Sequence, residues 1–149
     1  MEFYLDQEIP RVVIYGGFKE SLNKIKEVCR GSGFTVGLSS GGHPVSSDFL
    51  SDFASSSSKP LACVANPGCT FGLNLSRSPV LIYYSNTFRP DDRTQSQERA
   101  DRYGKDMSYG TRVIDIINLP TDLQVLQKIK ENIRIEELTL EEIQKCLLN

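Results

Sequence analysis

The chain has 149 residues, 39% of them hydrophobic and 24% charged, with a formal net charge of -2. That length suits one domain with a real core, and the acidic balance, with a sequence pI of about 5.5, excludes the global basic field of a protein that coats nucleic acid. No apolar run approaches a membrane span, and the acidic start Met1-Glu2-Phe3-Tyr4-Leu5-Asp6 is unlike a secretory signal.

Residues 1–10 read as a lead-in ending at Pro10. Arg11-Val12-Val13-Ile14-Tyr15 is a short apolar run stopped by Gly16-Gly17, the pattern of a strand buried on both faces of a parallel sheet. Phe18, Leu22, Ile25 and Cys29 recur at helical spacing, and Gly31-Ser32-Gly33 closes that helix. Phe34–Leu38 is the second strand. A short helix follows within Pro44–Ala54, with Phe49, Leu50 and Phe53 turned inward. After the loop Ser55–Ser58 comes a third strand, Leu61–Ala65, which runs into Asn66-Pro67-Gly68-Cys69-Thr70-Phe71-Gly72-Leu73-Asn74-Leu75. Pro79–Tyr84 is a fourth, buried strand.

A loop from Ser85 to Asp92 leads to a helix over 95–105, with Asp91 or Asp92 as its N-cap and Gly104 as its stop. Thr111–Ile117 is the fifth strand. Two helices finish the chain, each with a capping-box signature, Thr121-x-x-Gln124 and Thr139-x-x-Glu142. The first is expected to bury Leu126, Ile129 and Ile133, the second Leu140, Ile143 and Leu147 or Leu148. Strands alternating with helices along the whole length predict an α/β fold: one open, mostly parallel sheet with flanking helices and no second domain.

Four cysteines, Cys29, Cys63, Cys69 and Cys146, form no CxxC pair, and the single histidine, His43, lies in a Gly-Gly-His-Pro loop. A zinc site is not expected. Cys29, Cys63 and Cys146 read as small buried hydrophobes, which fits a reducing, cytoplasmic setting. His43 reads as a solvated turn residue without a serine or cysteine to activate.

Sites in open α/β sheets form at the carboxyl ends of the strands. Three segments fall there: Gly16-Gly17, the Pro67–Leu75 loop, and the loop leading to the helix over 95–105. On that helix Gln95, Arg99 and Arg102 share one face at i, i+4 and i+7, beside a weakly apolar stripe of Ser96, Ala100 and Tyr103. Two guanidiniums on a rigid helix suit a phosphate or carboxylate; the plainer reading is a solvated face pairing with Glu98 and Asp101. Gly68 and Gly72 allow backbone amides to approach a partner, with Thr70 and Asn74 adding a hydroxyl and an amide, or they simply make a turn. The sequence contains no Gly-x-x-x-x-Gly-Lys-Ser/Thr loop and no Gly-x-Gly-x-x-Gly fingerprint. It thus offers arginines for a phosphate without the cradle that would hold a nucleotide.

These residues resemble the second motor lobe of superfamily 2 helicases, in particular the SWI/SNF-type DNA translocases and their phage and bacterial relatives. Gln95-x-x-x-Arg99-x-x-Arg102-x-Gly104 is similar to that family's motif VI, Gln-Ala-x-x-Arg-x-His-Arg-x-Gly-Gln, with Ser96, Asp101 and Lys105 standing at the alanine, histidine and glutamine. Phe71-Gly72-Leu73-Asn74-Leu75 resembles motif V, Gly-x-Gly-Leu-Asn-Leu, with Thr70 where a glycine is common. Arg11–Tyr15 and its helix look like motif IV.

The resemblance implies a RecA-like helicase C-terminal lobe, a three-layer sandwich of the P-loop NTPase type, spanning 1–149 as one domain with 121–149 as trailing helices. It implies Arg99 and Arg102 as arginine fingers, and Gln95, Gly72 and Asn74 in nucleotide binding and coupling. Pro67, Gly68 and Thr70 would touch nucleic acid, and no metal is held by this chain. ATP with Mg2+ would be held mainly by an N-terminal RecA-like lobe outside this chain. The partners are that lobe and DNA, with no membrane. The parent would hydrolyse ATP and the isolated chain would not. Two other readings stay open: a stand-alone flavodoxin-like module binding a nucleotide or small molecule, and a non-enzymatic adaptor that kept the lobe fold.

Overall fold

A computed structural model describes residues 10–69, 73–86, 90–100, 111–131, 144, 145 and 147. Among them, β1 (Arg11–Tyr15), β2 (Thr35–Ser39), β3 (Leu61–Ala65), β4 (Val80–Tyr83) and β5 (Arg112–Asp115) form a sheet in the order β2-β3-β1-β4-β5. Every neighbouring pair is parallel. The central strands β1 and β3 are buried along their whole length, which is why their sequences are unbroken apolar runs rather than alternating ones. The outer strand β5 has an exposed first half.

Helix α1 (Lys19–Gly31) covers one face, packing Leu22, Ile25 and Cys29 on Val12, Ile14, Ala62, Val64 and Val80. Its inward stripe begins at Leu22, not at Phe18 as the spacing suggests. Phe18 is the extended residue before the first turn and is 70% exposed, so its side chain leaves the helix face. The helix ends where Gly33 takes a φ of 90°, a conformation that suits glycine.

Helix α2 (Ser47–Ala54) covers the other face through Phe49 and Phe53, against Val13, Tyr15, Cys63, Leu81 and Tyr83. It starts at Ser47, three residues after the Pro44 limit, and is capped by Ser46, whose hydroxyl accepts from the Phe49 amide at 3.2 Å. Phe49 packs into a gap that only glycine leaves: a Cβ on Gly37 of β2 would stand 2.5 Å from two of its ring carbons. Gly37→Ala is therefore expected to cost about 1–3 kcal/mol by overpacking, read as a Tm several degrees lower in calorimetry. An unchanged Tm would mean that the ring swings aside freely.

Helix α3 (Pro90–Ala100) and helix α4 (Pro120–Lys130) follow β4 and β5. α3 starts at Pro90, where a missing N–H costs nothing, so Asp91 and Asp92 occupy its first turn rather than the cap. Six residues of the expected 95–105 helix are in α3, and the remainder, with Gly104, lies outside the described residues. The cap of α4 also differs from the Thr121-x-x-Gln124 expectation. The Asp122 carboxylate accepts from the Asn118 and Leu119 amides, each at 2.8 Å, because the cap is Leu119, two residues before Thr121, and the helix begins at Pro120. The buried residue of α4 is Val125, while Leu126 and Ile129 are half-buried. Leu147, one of the two alternatives for the last inward position, is 56% exposed. Ile133, Leu140, Ile143, Leu148, Cys146 and the Thr139 box lie outside the described residues.

Candidate functional site

Connections leave β1 towards β2 and β4 towards β5, so the sheet has a switch point between β1 and β4, where α/β folds place their sites. Short polar links join the strand ends there. The Gly17 amide donates to Ser85 Oγ at 2.8 Å. Asn66 Nδ2 donates to the Gly17 carbonyl at 3.3 Å, and Asn66 Oδ1 accepts from the Gly68 amide at 3.0 Å. The ends of β1, β3 and β4 are thereby held together, with these two glycine amides already partnered inside the chain.

α3 lies over this edge, against the turn Pro67–Cys69. The Asp92 carboxylate is 3.5 Å from where a Gly68 Cβ would be. The glycine loop and the arginine helix thus meet, as the chain order predicts. Pro67 is buried, Gly68 and Gln95 are exposed, and Arg99 is in the last turn of α3. Asn74 stands apart in its hydrogen bonding: it accepts from the Ser76 amide and hydroxyl at 3.3 and 2.7 Å in a turn that leads to Ser78, beside the Arg11 carbonyl at the amino edge. Thr70, Gly72 and Arg102 lie outside the described residues. His43 is exposed and closes a tight Ser40–His43 turn.

The inward face of α3 is polar, which the weakly apolar stripe Ser96-Ala100-Tyr103 does not convey. Ser96 is fully buried: its hydroxyl donates to the Arg93 carbonyl at 2.9 Å and meets the Tyr83 hydroxyl at 2.6 Å. Tyr15 donates to the Ser96 carbonyl at 3.2 Å. Arg93, 7% exposed, makes a bidentate pair with Asp115 at 2.6 and 3.0 Å and donates to Asn86 Oδ1. Its guanidinium is stacked 3.6 Å from the centre of the Tyr83 ring. Arg93 and Asp115 are absent from the sequence-based site. A signal existed: Arg93, Ser96 and Ala100 share one stripe, and Asp115 ends the strand that α3 leads to.

Burial pushes the Tyr83 hydroxyl up to about 12, with the Ser96 hydrogen bond and Arg93 opposing and Asp115 reinforcing. Between the ordinary tyrosine value near 10 and that raised one, the native chain keeps a proton that the unfolded chain has lost. Stability is therefore full below pH 10 and falls as pH rises towards 12. The Tm deficit of Tyr83→Phe is expected to shrink from pH 9 to pH 11.5; a constant deficit would place the titration elsewhere. Burial likewise raises the Cys29 thiol to about 11 and the Cys63 thiol to about 12, which fits inert core cysteines. Among the described residues no group of three or more His, Cys, Asp or Glu is placed to hold a metal ion, and no helix is long and apolar enough to cross a membrane.

No protein-family model and no curated protein sequence matches the chain. Solved structures do. The C-terminal part of the Fun30 ATPase domain matches with a TM-score of 0.65 and 18% identity, over 89% of this chain and 41% of that one. A chain in the structure of the E. coli DEAD-box protein SrmB bound to regulator of ribonuclease activity A matches with a TM-score of 0.62 and 14% identity, over 89% and 75%.

The fold is that of a RecA-like helicase C-terminal lobe. At these identities the likeness establishes the architecture, and the chain spans about two fifths of the length of the Fun30 structure. The switch-point edge of the sheet is thus formed by the loops after β1, β3 and β4 together with α3.

Proposed function

We propose that the chain is the C-terminal motor lobe of an ATP-dependent DNA helicase or translocase, working with an N-terminal RecA-like lobe that carries the nucleotide cradle. The observation that carries this reading is the meeting of α3 with the Pro67–Cys69 turn on the carboxyl edge of a RecA-like sheet. The segment that resembles motif VI begins on that helix, and the segment that resembles motif V begins just after that turn. DNA as the track rests on the motif resemblance to SWI/SNF-type translocases.

ATP fits this chain as a group met from one side. The Gly17 and Gly68 amides are taken by Ser85 and Asn66, so they form no open nest for phosphate oxygens. Arg99 and Arg102 would meet the γ-phosphate, Gln95 would couple its state to lobe closure, and Gly72 would border the nucleotide. Gly68 and Thr70 would follow the DNA backbone, with the buried Pro67 shaping their turn. Bound ATP with Mg2+ supplies the phosphoryl group whose transfer drives the motor. The role of this lobe is to add positive charge where negative charge develops, and to move against its partner lobe as the ligand changes.

DNA-stimulated ATPase tests the proposal. The 149-residue chain alone is expected to match the protein-free blank, and turnover is expected once a lobe with the Walker motifs is supplied, fused or in trans. Robust hydrolysis by the chain alone would overturn it.

A further inference from the structure

We propose that Arg93 is a positioning residue, whose pairing with Asp115 and stacking on Tyr83 fix α3 on the sheet and so set the position of its last turn, where Arg99 lies. The consequence for turnover rests on the motor-lobe reading; the clamp itself does not.

α3 has little apolar surface with which to hold its place. Its described buried residues are Arg93 and Ser96, so orientation depends on directional polar contacts rather than on an apolar stripe. Arg93 connects three elements. Its two terminal nitrogens reach Asp115 at the end of β5, one of them also meets Asn86 in the loop after β4, and its plane lies on Tyr83 of β4. A forked, planar cation is needed for this combination, and lysine could supply only the charge. Asn86 Nδ2 also donates to Asp115 at 3.2 Å, which closes a ring of three side chains. Arg93 Nε is buried without a hydrogen-bond partner, an arrangement that fixes geometry at some cost in stability. Arg99 is six residues further along the same helix, a rise of about 9 Å, so a small rotation at Arg93 is carried as a larger displacement to the last turn. A misplacement of about 1 Å at a reacting centre can cost on the order of a hundredfold in rate.

Amide hydrogen exchange on the 149-residue chain reads the clamp directly. In Asp115→Asn and Arg93→Met, exchange across residues 90–100 is expected to accelerate by about tenfold or more while β1 and β3 keep their protection. Unchanged exchange in α3, or the same acceleration throughout the sheet, would overturn the clamp. Arg93→Lys keeps the charge and serves if Arg93→Met does not fold, with α3 protection expected between the two. In the two-lobed assembly, Arg93→Lys is expected to lower kcat by about tenfold with KM for ATP within about threefold of the parent. A kcat within about twofold of the parent would overturn the catalytic consequence. An unmodified assembly with no turnover would count against the motor-lobe reading, and the exchange experiment would still decide the clamp.

Discussion

Arg102→Ala in a two-lobed assembly is expected, on the motor-lobe proposal, to reduce kcat for ATP hydrolysis by about a thousandfold or more, while ATP binding changes by no more than a few-fold. A finger acts on charge that appears only as the phosphoryl group transfers, so its removal raises the barrier and leaves the ground-state complex nearly intact. Single-turnover hydrolysis beside equilibrium binding of ATP separates the two effects. Parallel loss of binding and turnover would make Arg102 a ground-state contact, and turnover near the parent's would remove it from the machinery. Arg102→Lys restores charge without the forked geometry, so only partial recovery is expected.

Arg11→Met is expected to destabilise the domain by about 3–5 kcal/mol, because several hydrogen bonds from a charged group, each worth about 1.5–3 kcal/mol, are lost together. For a chain of this size that lowers Tm by about 10 °C. Arg11 is fully buried at the amino end of β1. Its Nε donates to the Phe53 carbonyl at 3.1 Å, and one terminal nitrogen donates to the Asp52 and Ser57 carbonyls at 3.1 and 2.9 Å. The other terminal nitrogen donates to the Lys59 carbonyl. One guanidinium thus ties down the carboxyl end of α2, where a cation also answers the helix dipole, together with the loop that returns to β3. Methionine keeps the apolar stem but leaves these carbonyls without a donor. Denaturant unfolding measures the loss. A change below about 1 kcal/mol would show that water replaces the guanidinium at that edge. Arg11→Lys is expected to fall between the two.

The arginines differ in how visible they are in sequence. Arg99 and Arg102 stand out because they share an exposed-looking face with Gln95 and match a motif. Arg11 reads as the first residue of a strand, because its acceptors lie 41 to 48 positions away and no local pattern links them. Arg93 is hidden for the same reason: Asp115 is 22 positions on, and only the pairing of β4 with β5 brings them together. The helix ends show the local version of this limit. Thr121 and Gln124 have the spacing of a capping box, yet α4 starts at Pro120, its cap two residues before Thr121, which gives the capping role to Asp122.

By itself the sequence determined the class of fold and the sheet edge to which the candidate segments run. Unbroken apolar strands require burial on both faces, amphipathic helices between them supply the cover, and parallel connections send the loops after β1, β3 and β4 to one edge. Those are short-range regularities, so they are readable along the chain. The tertiary structure alone decided the strand order, the polar inward face of α3 and the buried positions of Arg11 and Arg93. A buried charge is settled by partners distant in sequence, and its identity as core or surface exists only once the sheet has brought those partners within hydrogen-bonding reach.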